Sequence, residues 1–125
     1  MLREILKSKI HNATVTKKEL YYEGSIGIDK ALLLKSNILA NEKVQVVNFN
    51  NGARFETYVI EEKEDSGIIA LYGPAARQAE VGDRVCIISY GLMEDGEAQL
   101  IKPQIMSRIF SCLFWVCVGE SKIPS

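Results

Sequence analysis

A chain of 125 residues, 47% apolar and 25% charged, has the length and balance of one globular domain with room for a core. Its net charge of −1, with Lys and Arg scattered along the chain, excludes a nucleic-acid surface built on a basic block and an acidic tail for a basic partner. Three cysteines, Cys86, Cys112 and Cys117, show no C-x-x-C spacing and read as reduced thiols of a cytosolic protein.

The opening MLREILKSKIH mixes charges of both signs and lacks the apolar centre of a leader peptide. β-Branched, partly alternating residues predict a strand over Lys9 to Val15. Thr16 to Glu19 have capping-box spacing and predict a short helical turn. After Gly24-Ser25 comes a brief strand, SIGID, and Asp29 is placed to cap the helix KALLLKSN, whose leucines give it an apolar side. KVQVVNF alternates as a strand. Asn50 to Gly52 signal a hairpin, because Asn and Gly tolerate the positive φ of a tight turn, and RFETYVIE returns. SGIIALYG is a further strand; Gly73-Pro74 breaks it and opens the small-residue loop GPAARQA. VGDRVCIISY is a turn and a strand, MEDGEA is polar and exposed, and Pro103 opens a last strand.

One run, Ile109 to Val118, is very apolar but shorter than the roughly 20 residues that span a bilayer, so it reads as a buried strand or a subunit contact. The sum is about six or seven short strands, one or two short helices and many turns, a mainly β, barrel-like single domain without repeats or linkers.

Few residues stand out for chemistry. His11 is the one histidine, and without H-E-x-x-H, a cysteine cluster or paired acids a metal site is not expected. GSIGID lacks the Lys-Ser/Thr ending of a phosphate loop, and GPAARQAEVGD is no dinucleotide fingerprint. What remains is a scatter of polar groups: Lys9, His11, Ser25, Arg54, Thr57 and Tyr58. Each has an ordinary reading. Lys9 and Arg54 suit solvated charges, His11 a satisfied strand residue, Tyr58 a half-buried aromatic, and Gly-Ser a common turn.

Together these residues carry a resemblance. LKSKIHNATVT, LYYEGSIGID and NNGARFETYVI resemble the bacterial aspartate 1-decarboxylase family, and the likeness runs in order through GPAARQAEVGDRVCIISY to about Pro103. Lys9, His11, Tyr22, Gly24-Ser25, Asn51-Gly52, Arg54, Thr57 and Tyr58 fall at the family's landmarks. The resemblance implies a double-psi β-barrel, a cytoplasmic homotetramer with sites near subunit contacts, and a pyruvoyl cofactor made from the chain itself. It implies L-aspartate as substrate, β-alanine for pantothenate synthesis as product, a maturation factor as a further partner, and neither nucleic acid nor membrane.

The chemistry it implies has two stages. The Ser25 hydroxyl attacks the Gly24 carbonyl, helped by the freedom of glycine and by Thr57, and the resulting ester is eliminated and hydrolysed. Residues 1–24 then form a β chain, and residues 25–125 an α chain that begins with the pyruvoyl ketone. In the second stage the substrate amine joins that ketone as a Schiff base, and the ketone with its neighbouring amide receives the electrons left by CO2. Arg54 is assigned to a substrate carboxylate, Lys9 to added positive charge, and Tyr58 to proton donation, a role open to a phenol of pKa ~10 at neutral pH. Gly73, Pro74 and Ala75 line the substrate, with His11, Tyr22 and Tyr72 in support.

Two features depart from the family pattern. Tyr72 and Pro74 stand where the family carries Asn and Ala, and the tail 104–125 is more apolar than the family's ending. The alternative role for such a chain is a scaffold that keeps the barrel without processing itself. A decarboxylase for another acidic amino acid, such as glutamate, lies between.

Overall fold

The computed structural model describes residues 1–108 and 115–120, with Arg108 and the last stretch described by backbone alone. Nine strands are present among the described residues: β1 (Leu2–Thr14), β2 (Lys17–Glu19), β3 (Ser25–Asp29), β4 (Lys43–Asn48), β5 (Arg54–Glu62), β6 (Ile69–Tyr72), β7 (Arg84–Glu94), β8 (Gln104–Arg108) and β9 (Trp115–Glu120). Two short helices, α1 (Lys30–Ser36) and α2 (Asp95–Leu100), and a 3₁₀ turn over Gly73–Gln78 complete the elements of the described residues. The fold is mainly β, as the alternation of apolar residues implied.

The strand order is β2-β6-β3-β5-β4-β7-β1-β8-β9. β1 and β2 stand far apart in that order, yet Val15 and Thr16 alone separate them in the chain. The sheet therefore curls until its far regions meet. The join is bonded: Val15 exchanges backbone hydrogen bonds with Asp83 and Gly82, and the Thr16 N–H donates to the Ile69 carbonyl at 2.8 Å. Inside lie Ile10, Ile26, Ile28, Val46, Val59, Leu71, Val85 and Ile87, all fully buried. A strand that alternates inward and outward on such a curve presents every second side chain to this core.

β5 changes partner midway. Its first half pairs antiparallel with β4 as far as Thr57↔Val44 and Tyr58↔Lys43; its second half pairs parallel with β3, beginning at Val59↔Ile26. Thr57 and Tyr58 thus sit at the handover, and one step back along the same register lies Ser25.

Local chemistry explains the elements the sequence made visible. Asp29 caps α1 by accepting from the Ala31 N–H at 2.8 Å, and Asn37 closes the helix in the left-handed region. Asp29 also accepts from the Asp65 and Gly67 N–H groups at 2.9 and 2.8 Å, tying the β5–β6 turn to the helix start. The Asn-Gly hairpin joins β4 to β5, with Gly52 at φ +74°.

Three expectations are corrected. Lys17–Glu19 is a strand, not a helical turn, because it supplies the parallel partner that covers the edge of β6. The first strand runs over Leu2–Thr14, well beyond Lys9 to Val15, held along its length by β7. The small-residue loop winds as a 3₁₀ turn. MEDGEA is largely exposed as expected, Met93 excepted, and falls on the end of β7 and the start of α2. Of the apolar run Ile109 to Val118, residues 109–114 lie outside the described residues, whereas 115–118 belong to β9, which pairs with β8.

Candidate active site

The register around Ser25 builds the site. Ser25 opens β3, pairs with Tyr72 across the antiparallel β3–β6 ladder, and is 1% exposed. Just before it, Gly24 meets the turn that begins at Gly73. Gly73 has φ +67°, and a Cβ there would stand 2.7 Å from the Tyr22 carbonyl oxygen, 2.8 Å from Gly24 Cα and 2.9 Å from Gly24 N. All three are backbone atoms, which leaves Gly73 no alternative residue. Backbone thus lies on backbone at the Gly24-Ser25 junction.

Beside that junction opens a groove of about 380 Å³ lined by Gly24, Phe55, Glu56, Thr57, Tyr58, Pro74, Ala75 and Gln78. The partner change of β5 supplies Thr57 and Tyr58, and the 3₁₀ turn supplies Pro74 and Ala75. Five residues singled out in the sequence therefore meet on one surface. Tyr58 is 37% exposed, so its phenol is open to the groove rather than locked in the core.

Phe55, Glu56 and Gln78 carried no signal in the sequence. Strand alternation around Thr57 could have indicated Phe55; nothing local could have indicated Gln78. Its placement has a clear cause. The Gln78 carbonyl accepts from Asn48 Nδ2 at 3.1 Å and from Asn51 Nδ2 at 2.9 Å, so the hairpin tip holds the end of the 3₁₀ turn. Asn51-Gly52 acts here as a clamp on the groove wall.

Lys9, His11 and Arg54 are not brought to this groove. Arg54 precedes Tyr58 by four residues on β5, roughly 13 Å along the strand, and it lines a second groove of about 670 Å³ with Glu4, Lys43, Val44, Gln45, Glu56, Tyr90 and Leu92. Its guanidinium donates to Gln45 Oε1 at 3.2 Å. Lys9 lies on β1, reached from β5 across β4 and β7 by the row Glu56, Gln45, Ile88, Lys9. His11 packs edge-on against Phe49 with ring centres 5.7 Å apart, and Nδ1 has no hydrogen-bond partner. Burial, with Lys9 adding to it, lowers the His11 pKa below 6.5.

Tyr72 adds a feature of its own. It is 5% exposed and donates its hydroxyl to Glu62 Oε2 at 2.7 Å. Burial first, and then the Glu62 carboxylate, raise its pKa. Tyr22 leans on it with ring centres 4.9 Å apart. Among the described residues no group of three His, Cys, Asp or Glu side chains is placed to hold a metal ion.

These observations define a small, mainly β protein whose groove is built around one Gly-Ser junction. The family model described as aspartate decarboxylase matches residues 1–108. Aspartate 1-decarboxylase of Cytophaga hutchinsonii is 56% identical over 103 residues, 82% of this chain and 90% of that protein. The enzyme of the same name from Kosmotoga olearia is 63% identical over 97 residues, 78% of this chain and 84% of its own length. The one from Pelotomaculum thermopropionicum is 57% identical over 106 residues, 85% of this chain and 80% of that protein. Among solved structures, the rationally designed protein mkDPBB_sym_86 is similar at a TM-score of 0.46 with 19% identity, over 63% of this chain and 91% of that one. The chain belongs to the aspartate decarboxylase family.

Proposed function

We propose that this protein cuts itself between Gly24 and Ser25 and then decarboxylates L-aspartate to β-alanine. The observation that carries the reading is the buried Ser25 beside a Gly24 packed against Gly73, next to a groove that holds Thr57 and Tyr58. Family membership supports the reaction class and the substrate.

Self-cleavage runs through groups of this chain and one water molecule. Ser25 Oγ attacks the Gly24 carbonyl carbon, the C–N bond breaks, and the hydroxyl proton passes to the freed amine. Thr57 steadies the Gly24 carbonyl oxygen as charge develops on it. Elimination across Cα–Cβ of residue 25 releases the Gly24 carboxylate. Hydrolysis of the remaining enamine releases ammonia and leaves the pyruvoyl ketone on residue 25.

The residues present fit such a group, since it is made from Ser25 itself, a ketone oxygen taking the place of the α-nitrogen and the side chain becoming a methyl, and the groove beside Gly24 leaves space for an amino acid. Once formed, the ketone supplies the electron sink that lets a carboxylate leave as CO2. Tyr58 gives a proton to the former α-carbon from its open position on the groove. Pro74 has no N–H, so any backbone donor on that wall belongs to Gly73 or Ala75.

Within one chain neither Arg54 nor Lys9 lines the groove beside Gly24. We assign them to the site of a neighbouring copy in a homotetramer, where Arg54 grips a substrate carboxylate through its planar fork. The exposed Phe49, Tyr90 and Leu92 near them support a contact between copies. No helix among the described residues is long and apolar enough to cross a membrane. A cytoplasmic place, the double-psi form of the barrel, the supply of β-alanine to pantothenate synthesis and a maturation factor belong to the same proposal.

Intact mass and a denaturing gel test it. Two polypeptides, the larger beginning with pyruvoyl, and β-alanine from L-aspartate are expected. Ser25→Ala should give one unbroken chain with no activity. A well-folded wild-type protein that stays whole with an unmodified Ser25 would refute the reading.

A further inference from the structure

The face of β3 that carries Ser25 also carries Gly27, and there the chain leaves a hole. Gly27 has no side chain, and the Glu62 carboxylate fills the space. A Cβ on Gly27 would stand 2.8 Å from Glu62 Cδ and 2.9 Å from Cγ, with Oε2 nearer still. Glu62 reaches that place from β5, where it pairs with Asp29 in the parallel β3–β5 ladder. From the other side comes Tyr72, directly opposite Ser25 on β6 and diagonal to Gly27. Its hydroxyl meets Glu62 Oε2 at 2.7 Å.

The anchored ring then faces the segment that enters the scissile junction. Tyr22 rests on Tyr72 with ring centres 4.9 Å apart at a tilt of 46°. Lys17 Nζ lies 5.6 Å from the Tyr72 ring centre. The Glu62 bond fixes the phenol end of the Tyr72 ring, and Tyr22, itself 57% exposed, rests on that ring. The residue after Tyr72 is Gly73, whose backbone presses on the Tyr22 carbonyl and on Gly24.

We propose that Glu62 and Tyr72, with the hole at Gly27, form a positioning unit that holds residues 22–24 in the geometry for attack by Ser25. Tyr72 is a positioning residue, not a catalytic one. Its hydroxyl proton is committed to Glu62, and it acts through the ring that steadies Tyr22 and through the turn that follows it. A hydrogen bond to a carboxylate is among the stronger side-chain bonds, which suits an anchor. The inference rests on the self-cleavage proposed above.

Cleavage is followed by gel and intact mass from the first appearance of folded chain. Tyr72→Phe keeps the ring and loses the anchor, and Glu62→Ala loses the acceptor. Each is expected to slow cleavage by about tenfold, the factor that corresponds to roughly 1.4 kcal/mol of barrier. Glu62→Gln retains a carbonyl that accepts the hydroxyl and should restore cleavage to within about threefold of wild type. Melting temperatures separate positioning from folding, because the three variants should melt close together while their cleavage rates differ. A second measurement does not depend on cleavage: in a Ser25→Ala background, Tyr72→Phe should speed hydrogen exchange of the residue 22–24 amides. Wild-type cleavage in Tyr72→Phe, or slowing that simply tracks the melting temperature, would overturn the inference. Unchanged exchange at residues 22–24 would do so as well. A wild-type chain that never cleaves defeats the parent reading instead, and the exchange measurement then decides the positioning unit alone.

Discussion

Replacing Gly73 by alanine probes the junction most directly. The new Cβ would stand 2.7–2.9 Å from three backbone atoms, the Tyr22 carbonyl oxygen and Gly24 Cα and N. Ordinary carbon contacts fall at about 3.5–4.0 Å, so Gly24 must retreat by roughly 0.7–1 Å. Gly73 also has φ +67°, where an L-residue is disfavoured by about 1–2 kcal/mol. The two effects separate in a control. Gly82 has φ +95° with no atom within 4 Å of a built Cβ, so Gly82→Ala carries backbone strain without a clash. Both variants should lose about 1–2 kcal/mol of stability or somewhat more in urea unfolding. Only Gly73→Ala should cripple cleavage, since a misplacement near 1 Å in a reacting geometry lowers rate by about 100-fold. The assay is the fraction of cleaved chain against time on a denaturing gel. Gly73→Ala that cleaves within a few-fold of Gly82→Ala would refute the claim that this backbone contact sets the reactive geometry.

Asp29→Ala removes an acceptor shared by the Ala31, Asp65 and Gly67 N–H groups, and should destabilise the fold by about 2–4 kcal/mol in urea at matched protein concentration. His11 is held with its pKa below 6.5 by burial and by Lys9, so the unfolded chain takes up the proton first as pH falls. Stability should therefore be retained above 6.5 and decline below it, and His11→Gln should flatten that slope in denaturation curves taken across the window. Burial raises the Cys86 thiol to about 11, with Lys9 opposing weakly, so peptide-resolved alkylation at pH 8 should spare Cys86 in the native protein and label it after unfolding.

The opening strand and the segment after it show where reading along the chain fell short. Thr16 to Glu19 carry capping-box spacing, yet Lys17–Glu19 extend to pair with Ala70, Leu71 and Tyr72. The side-chain bond such a box offers is worth less than covering a sheet edge whose partner lies some fifty residues away in sequence. In β1 the register slips between Ile10 and Ala13, with Asn12 at φ 66°, and that bulge re-aims His11 toward Phe49. Period-two alternation does not foresee it.

Residue types alone established a β-rich domain, the Asp29 cap and the Asn-Gly hairpin, because each depends on atoms a few residues apart, whereas Ser25, Thr57 and Tyr58 stood out as reactive candidates only through the family resemblance. Tertiary structure alone decided that β5 changes partner at Tyr58, that Gly73 lies against Gly24, that Glu62 fills the hole at Gly27, and that Arg54 lines a second groove while neither it nor Lys9 lines the groove beside Gly24. Those outcomes depend on register between strands distant in sequence. A one-residue slip there reverses every inward and outward side chain while leaving local preferences untouched.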